Sequence, residues 1–244
     1  MNFSKVYEIN PSDLTTWDNK IFLTIDVDWA HDQIILDTIE LLNSSSAKST
    51  WFITHKSELI EELKKSANCE IGIHPNFNKI LFENTSETYK TILDDILNIV
   101  PNAKSVRSHS MTQNSRILDT FFDYGLTHDV NHFVPYFSNN FLNPWIHWNG
   151  LIKVPYIWED DIAILYKSCQ IKESSPSEIL RKNKSGIKVF DFHPIHIFLN
   201  TENMQRYEET RHLHQNPKEL INYRFDGYGT RNMFIELITK GLNL

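Results

Sequence analysis

The chain has 244 residues, of which 41% are hydrophobic, 12% aromatic and 23% charged, enough apolar material for one large core and little for two. Fifteen Phe, nine Tyr and six Trp exclude a solvated low-complexity chain, and 24 Lys plus Arg against 31 Asp plus Glu leave a net charge of −7. No broad positive field exists for a nucleic-acid backbone, and no apolar run approaches the roughly 20 residues that span a bilayer.

Residues 1–20 read as a polar leader without the basic-then-apolar pattern of a secretory signal, which places the protein in the cytoplasm, and residues 21–244 read as one domain. Residues 21–26 (IFLTID) form a short apolar strand, and Ile34, Ile35, Thr38, Ile39 and Leu42 follow at helical spacing. The alternation continues with a strand at 49–54, a helix at 57–65, a strand at 69–74 and a helix at about 87–99 that Pro101 stops. A strand at 104–107, a helix at 115–124 and a strand at 126–130 lead into residues 131–150, an aromatic, Asn-rich stretch without periodicity that reads as a functional loop. Strands resume at 151–158 and 162–166, a helix fits 176–182, a last strand fits 187–192, and the C-terminal forty residues read as mostly helix. Strands alternating with helices predict an α/β fold with a mainly parallel sheet and ligands at the carboxyl ends of the strands. Cys69 and Cys169 have no partner at metal-finger spacing and read as buried thiols. Gly227 to Thr230 reads as a turn and helix start, not a phosphate cradle.

Several strands end in groups that ionise or bind metal. Side-chain alternation puts Asp26 and Asp28 on one side of the first strand's end, and two close carboxylates stay ionised together only with a cation between them. A metal on one leaves the other free to act as base. His74 ends the third strand, and a helical turn starting at Pro75 would bring Asn78 to its side. Arg107 suits a carboxylate-orienting role behind Asp26, with His109 two residues beyond on the same face if the strand persists. His193 follows Asp191 by two residues and is the candidate acid, ahead of His196 in the following turn. His55, Asp129 and Asp160 or Asp161 also fall at strand ends. Trp145, Trp148, Tyr156 and Trp158 offer flat apolar faces for sugar rings or, equally, for core packing.

In order along the chain, Thr24 to Asp28, Trp51 to Thr54, Gly72 to His74, Arg107, Val154-Pro155 and Phe192 to Pro194 resemble the motifs of NodB-homology polysaccharide deacetylases, nearest the WbmS-like branch associated with surface-polysaccharide gene clusters. The resemblance spans residues 21–199. It implies a distorted (β/α) barrel in a single domain and metal-dependent removal of an N-acetyl, occasionally O-acetyl, group from a sugar or surface-polysaccharide precursor.

Carried onto this chain, the resemblance makes Asp26 the base, Arg107 its orienting group and His193 the acid, with a divalent metal (zinc, or cobalt or manganese) at Asp28 and His74. Asn78 stands where the family commonly has a second metal histidine, so Asn78, His55 or a water completes the shell, or metal is lost. Trp158, Tyr156 and Asp160 are the candidate substrate contacts, in a segment that takes the place of the family's Trp-containing fourth motif. Asn78 also motivates a rival, a carbohydrate-binding protein that kept the barrel and lost the chemistry. A nucleotide-sugar glycosyltransferase is a weaker rival, because the Asp-x-Asp pair closes the first strand before any nucleotide-binding unit is built.

Overall fold

Runs rich in β-branched and aromatic residues become strands because such side chains pack best on a pleated, half-buried surface. The computed structural model describes residues 1–83, 85–138, 140–166, 171 and 175–240. Its strands are β1 (Asn2–Phe3), β2 (Lys20–Asp26), β3 (Ser49–Ile53), β4 (Cys69–Ile73), β5 (Ser105–Val106), β6 (His128–Phe133), β7 (Trp145–Ile146), β8 (Ile152–Tyr156), β9 (Trp158–Glu159) and β10 (Lys188–Phe192). Parallel pairing runs β2, β3, β4, β5, β6, β8, and β10 joins the other side of β2. β8 and β9 are halves of one run broken at Ile157. The first half pairs with β6 and the second with β10, and the Ile157 N–H donates to the Val189 carbonyl at 3.0 Å. The sheet thereby curls round on itself, giving the single-domain distorted (β/α) barrel expected from the motif order.

Strand parity divides the apolar residues into two cores. Ile21, Leu23, Ile25, Trp51, Ile53, Phe190 and Phe192 pack outward with helix residues such as Ile34, Leu93, Phe121 and Phe234. Phe22, Phe52, Val130, Val154, Tyr156 and Val189 face inward and form the second cluster. Further along the same inward parity of β2 and β10 come Thr24, Asp26 and Asp191. The interior is thus apolar low in the barrel and ionised at its carboxyl mouth.

Three expectations change. Residues 1–20 are no detached leader: β1 pairs with the start of β2, and Val6, Ile9 and Trp17 join the inward cluster. Residues 162–165 of the expected strand 162–166 lie in the helix Asp160–Leu165, which Tyr166 caps, because a short apolar run carries no period of its own and the acidic pair Asp160 and Asp161 suits a helix's first turn. Within 131–150, β6 persists to Phe133 and β7 adds antiparallel to β8. Cys69 is half-buried, and Cys169 lies outside the described residues.

Candidate active site

The carboxyl ends of β2, β4, β5 and β10 deliver most of the polar groups of the barrel mouth. β2 ends at Asp26, so Asp28 is not placed by strand alternation: Asp28 and Trp29 take left-handed backbone with φ of 44° and 54°. Such conformations are costly outside glycine and persist only where the surroundings fix them. Here the Trp29 N–H donates to Thr54 Oγ1 at 3.0 Å and the Trp29 carbonyl accepts from Gln215 Nε2 at 3.2 Å. β5 likewise ends at Val106, and His109 is reached through the 3-10 turn His109–Met111.

Arg107 organises the interior. Its Nη1 donates to Asp26 Oδ1 at 2.8 Å and to Asp191 Oδ1, its Nη2 to Thr24 Oγ1 at 3.0 Å and its Nε to the Val130 carbonyl at 3.1 Å. The guanidinium lies between the rings of Phe52 and Tyr156, 4.8 and 4.5 Å from their centroids. Burial works against the charge, but Asp191 and Asp26 outweigh it and hold the Arg107 pKa above its ordinary value. One cation between two buried carboxylates leaves an excess negative charge. Burial pushes Asp191 up to about 7, against the pull of Arg107 and with the help of Asp26.

Asp26 Oδ2 faces His74 Nδ1 at 3.5 Å, and His74 Nε2 lies 3.1 Å from Asp28 Oδ1. Burial alone would lower the His74 pKa; the Asp26 and Asp28 carboxylates reverse that and raise it. Asp28 shows the converse balance: burial raises it, and the imidazoles of His109 and His74 hold it well below the usual carboxylate range. Asp28 Oδ1 and His74 Nδ1 are both buried without a hydrogen-bond partner. A buried carboxylate oxygen left unbonded beside an imidazole nitrogen is costly unless a cation occupies the space between them, so the residues fit a divalent metal.

His193 completes the mouth. Asp160 holds it through the backbone N–H at 2.8 Å and through Nδ1 at 2.7 Å, leaving Nε2 to face Asp28 Oδ2 at 3.6 Å. Burial disfavours its charge, but Asp161 and Asp160 raise its pKa well above the ordinary value. Two of the clefts beside these groups border His193. One, of about 290 Å³, is bordered by Asp28, Trp29, His193, Tyr207 and Gln215. The other, of about 180 Å³, is bordered by Asp26, Arg107, Tyr156, Glu159 and Met204.

Asp26, Asp28, His74, Arg107 and His193 therefore converge. The helical turn expected to set Asn78 beside His74 is absent, because residues 74–77 are not helical and the short helix Asn78–Phe82 begins only at Asn78, whose Nδ2 donates to Ser110 Oγ at 3.4 Å. Trp158 is 2% exposed and its ring packs at a tilt on Phe192 with centroids 4.7 Å apart, in the outward core. Asp160 is wholly buried and its carboxylate is bonded to the His193 ring and backbone N–H, an arrangement that positions the imidazole. Tyr156 borders the smaller cleft, with its hydroxyl donating to Glu159 Oε2 at 3.2 Å. Asp191 and Glu159 went unassigned in the sequence. Strand parity pointed to Asp191, two residues before His193 on the same face, whereas no local pattern pointed to Glu159.

A family model described as WbmS-like polysaccharide deacetylase matches residues 23–211. The crystal structure of WbmS from Bordetella bronchiseptica, described as a polysaccharide deacetylase involved in O-antigen biosynthesis, is 38% identical, with 98% of each chain covered and a TM-score of 0.93. A polysaccharide deacetylase structure from Mycobacterium smegmatis aligns over 91% of each chain at 13% identity and a TM-score of 0.45. No curated protein matches the chain. By sequence match over most of its length and by a near-complete structural overlay, the chain belongs to the WbmS-like polysaccharide deacetylases, hydrolases of carbon–nitrogen bonds other than peptide bonds.

Proposed function

We propose that this protein is a metal-dependent deacetylase that hydrolyses the N-acetyl group of a sugar destined for a surface polysaccharide such as O-antigen. The observation that carries the reading is the placement of a carboxylate, Asp26, beside His74 Nδ1 and of an imidazole, His193, beside Asp28 Oδ2, around the unpartnered Asp28 Oδ1 that faces His74 Nε2 at one barrel mouth. Asp28 and His74 would hold a divalent ion, with zinc, cobalt or manganese as candidates, which when bound would polarise the acyl carbonyl and acidify the attacking water. Asp26 takes the proton of that water, and Arg107 holds Asp26 in one orientation through its 2.8 Å bond. Asp160 fixes the His193 ring by Nδ1, so that Nε2 carries a proton toward the departing amine. The bond broken is C–N, acetate leaves with the water oxygen, and the amine leaves with the proton from His193. The smaller cleft, which Met111, Ile162, Leu165 and Met204 also border, suits the acetyl methyl.

Acetate release from N-acetylated sugars, measured with added Zn²⁺, Co²⁺ or Mn²⁺, tests the reading. The unsubstituted protein should release acetate, and Asp26→Asn should release none while retaining bound metal. Full activity in Asp26→Asn would remove the base, and absence of both metal uptake and acetate release would favour a carbohydrate-binding protein on this barrel.

A further inference from the structure

Asp28 and His74 are two ligands, and a structural or catalytic site for a divalent transition metal normally takes three or more from the protein. We propose that His109 is the third protein ligand and that Asn78 acts from outside the site, bracing the turn on which His109 stands; the inference rests on the metal-dependent reading above.

The argument begins with Asp28 Oδ1. His74 Nε2 lies 3.1 Å and His109 Nδ1 3.3 Å from this one oxygen, yet the oxygen is buried and has no hydrogen-bond partner. Two imidazole nitrogens thus crowd it without being aligned to donate to it. Tetrahedral ligands at about 2.0–2.1 Å from an ion lie roughly 3.3–3.4 Å from one another. The observed separations fall close to that edge length, and ligand atoms of Asp28, His74 and His109 all lie within 4.8 Å of one another. His193 is the other imidazole beside Asp28, but its Nε2 approaches the opposite oxygen, Oδ2, at 3.6 Å and its Nδ1 is tied to Asp160. His55, a further candidate from the sequence, shares a 2.9 Å hydrogen bond with Thr54 Oγ1 through Nδ1 and is absent from these clusters.

The backbone around His109 is built to hold the ring there. Ser110 and Met111 are left-handed, with φ of 56° and 53°, a costly pair in residues other than glycine. The turn is tied at both ends. Ahead of His109, the Ser108 N–H donates to Asn131 Oδ1 at 2.8 Å, and the buried Asn131 is held in turn by Asp129 at 2.7 Å. Behind it, Gln113 donates to the Asn131 carbonyl at 3.1 Å and accepts from Lys153 at 2.8 Å. The His109 N–H bonds the Pro75 carbonyl at 3.0 Å, and its ring stands edge-on to Trp29 and His74 with centroids 5.2 and 5.5 Å away. Asn78 enters here: its amide donates to Ser110 Oγ, on the strained residue beside His109. Outer-shell contacts of this kind fix ligand orientation.

Zn²⁺ titration calorimetry on chelator-stripped full-length protein is the test. His109→Ala should weaken Zn²⁺ binding by more than about 100-fold, whereas Asn78→Ala should stay within the ~10–100-fold range of outer-shell changes. Thermal unfolding of the stripped variants checks that each folds, and His109→Gln serves if the alanine variant does not. In the unsubstituted protein labelled with ¹⁵N-histidine, Zn²⁺ should bring two imidazoles to ring shifts that no longer titrate with pH. A folded His109 variant binding Zn²⁺ as tightly as the unsubstituted protein, or a single imidazole responding, would overturn the inference while leaving the deacetylase reading in place. If the unsubstituted protein takes up no ion, both fall together.

Discussion

Arg107 is the side chain on which the interior depends most. Replacing it with Ala leaves Asp26 and Asp191 buried beside each other without a cation, and loss of one partner from a buried ion pair costs about 3–5 kcal/mol. Arg107→Lys should fare little better, because an ammonium matches neither the four planar hydrogen bonds nor the stack between Phe52 and Tyr156. Urea unfolding measures both. Asp191 gives a second expectation at this scale. Its pKa is raised to about 7 in the fold against about 3.9 in an unfolded chain, so the native state binds the extra proton between those values. The stability tied to that proton is complete below pH 4 and is lost as pH rises through 7. In metal-stripped protein, Asp191→Asn should therefore gain on the unsubstituted chain as pH rises from 4 to 7, by at most about 1.4 kcal/mol per pH unit. Parallel stability curves would refute it. Asp26, Arg107 and His193 were legible in the sequence because each sits at or just beyond a strand end with inward parity. The burial of Trp158 against Phe192 and of Asp160 against His193 was not legible, because the sequence does not print which neighbours a side chain meets.

Among the elements, the strands that carry the site, β2, β4, β5 and β10, were legible and the turns after them were not. Parity carries a prediction only while the strand lasts, and β2 and β5 stop at Asp26 and Val106, so Asp28 is placed by its own left-handed backbone and His109 opens a 3-10 turn whose next two residues, Ser110 and Met111, are left-handed. Asn78 fails for the same reason in helical form: the turn assumed from Pro75 starts three residues late, and a helical pairing with His74 never forms. Within the strands, Gly72 shows how closely β4 and its neighbours approach beneath His74. A Cβ there would lie 2.6 Å from the Ser105 carbonyl oxygen and 2.8 Å from Phe52 Cδ1, both inside the barrel wall. Gly72→Ala should cost about 1–3 kcal/mol through forced displacement of β5 or Phe52. Because Phe52 supports Arg107 and His74 follows two residues later, the same change should weaken Zn²⁺ binding. Equal urea midpoints would show that the wall yields without cost.

For the whole molecule, the barrel has a mouth made of charges and a floor made of the first twenty residues. The polar composition of that segment hid its role, since only Val6, Ile9 and Trp17 among many polar neighbours turn inward. They are 0%, 2% and 2% exposed and close the end of the barrel opposite the active site. The segment is also bonded in place: the Val6 N–H donates to Thr50 Oγ1 at 3.0 Å and the Tyr7 N–H to Glu70 Oε2 at 3.0 Å, and His128 Nε2 meets the Ile9 carbonyl at 2.9 Å. Removing residues 1–19 would forfeit about 1.5–3 kcal/mol for each of the three side chains. It would also leave the inward faces of Phe22, Phe52 and Val189 open to water and the buried Glu70 short of one donor. Against a total stability of about 5–15 kcal/mol for a domain, that loss removes most or all of the margin. A chain beginning at Lys20 should therefore lack a cooperative thermal transition and a dispersed NMR spectrum, although every proposed active-site residue is still present. A truncated protein that melts cooperatively within a few degrees of the full chain would show that the inward core closes without its floor.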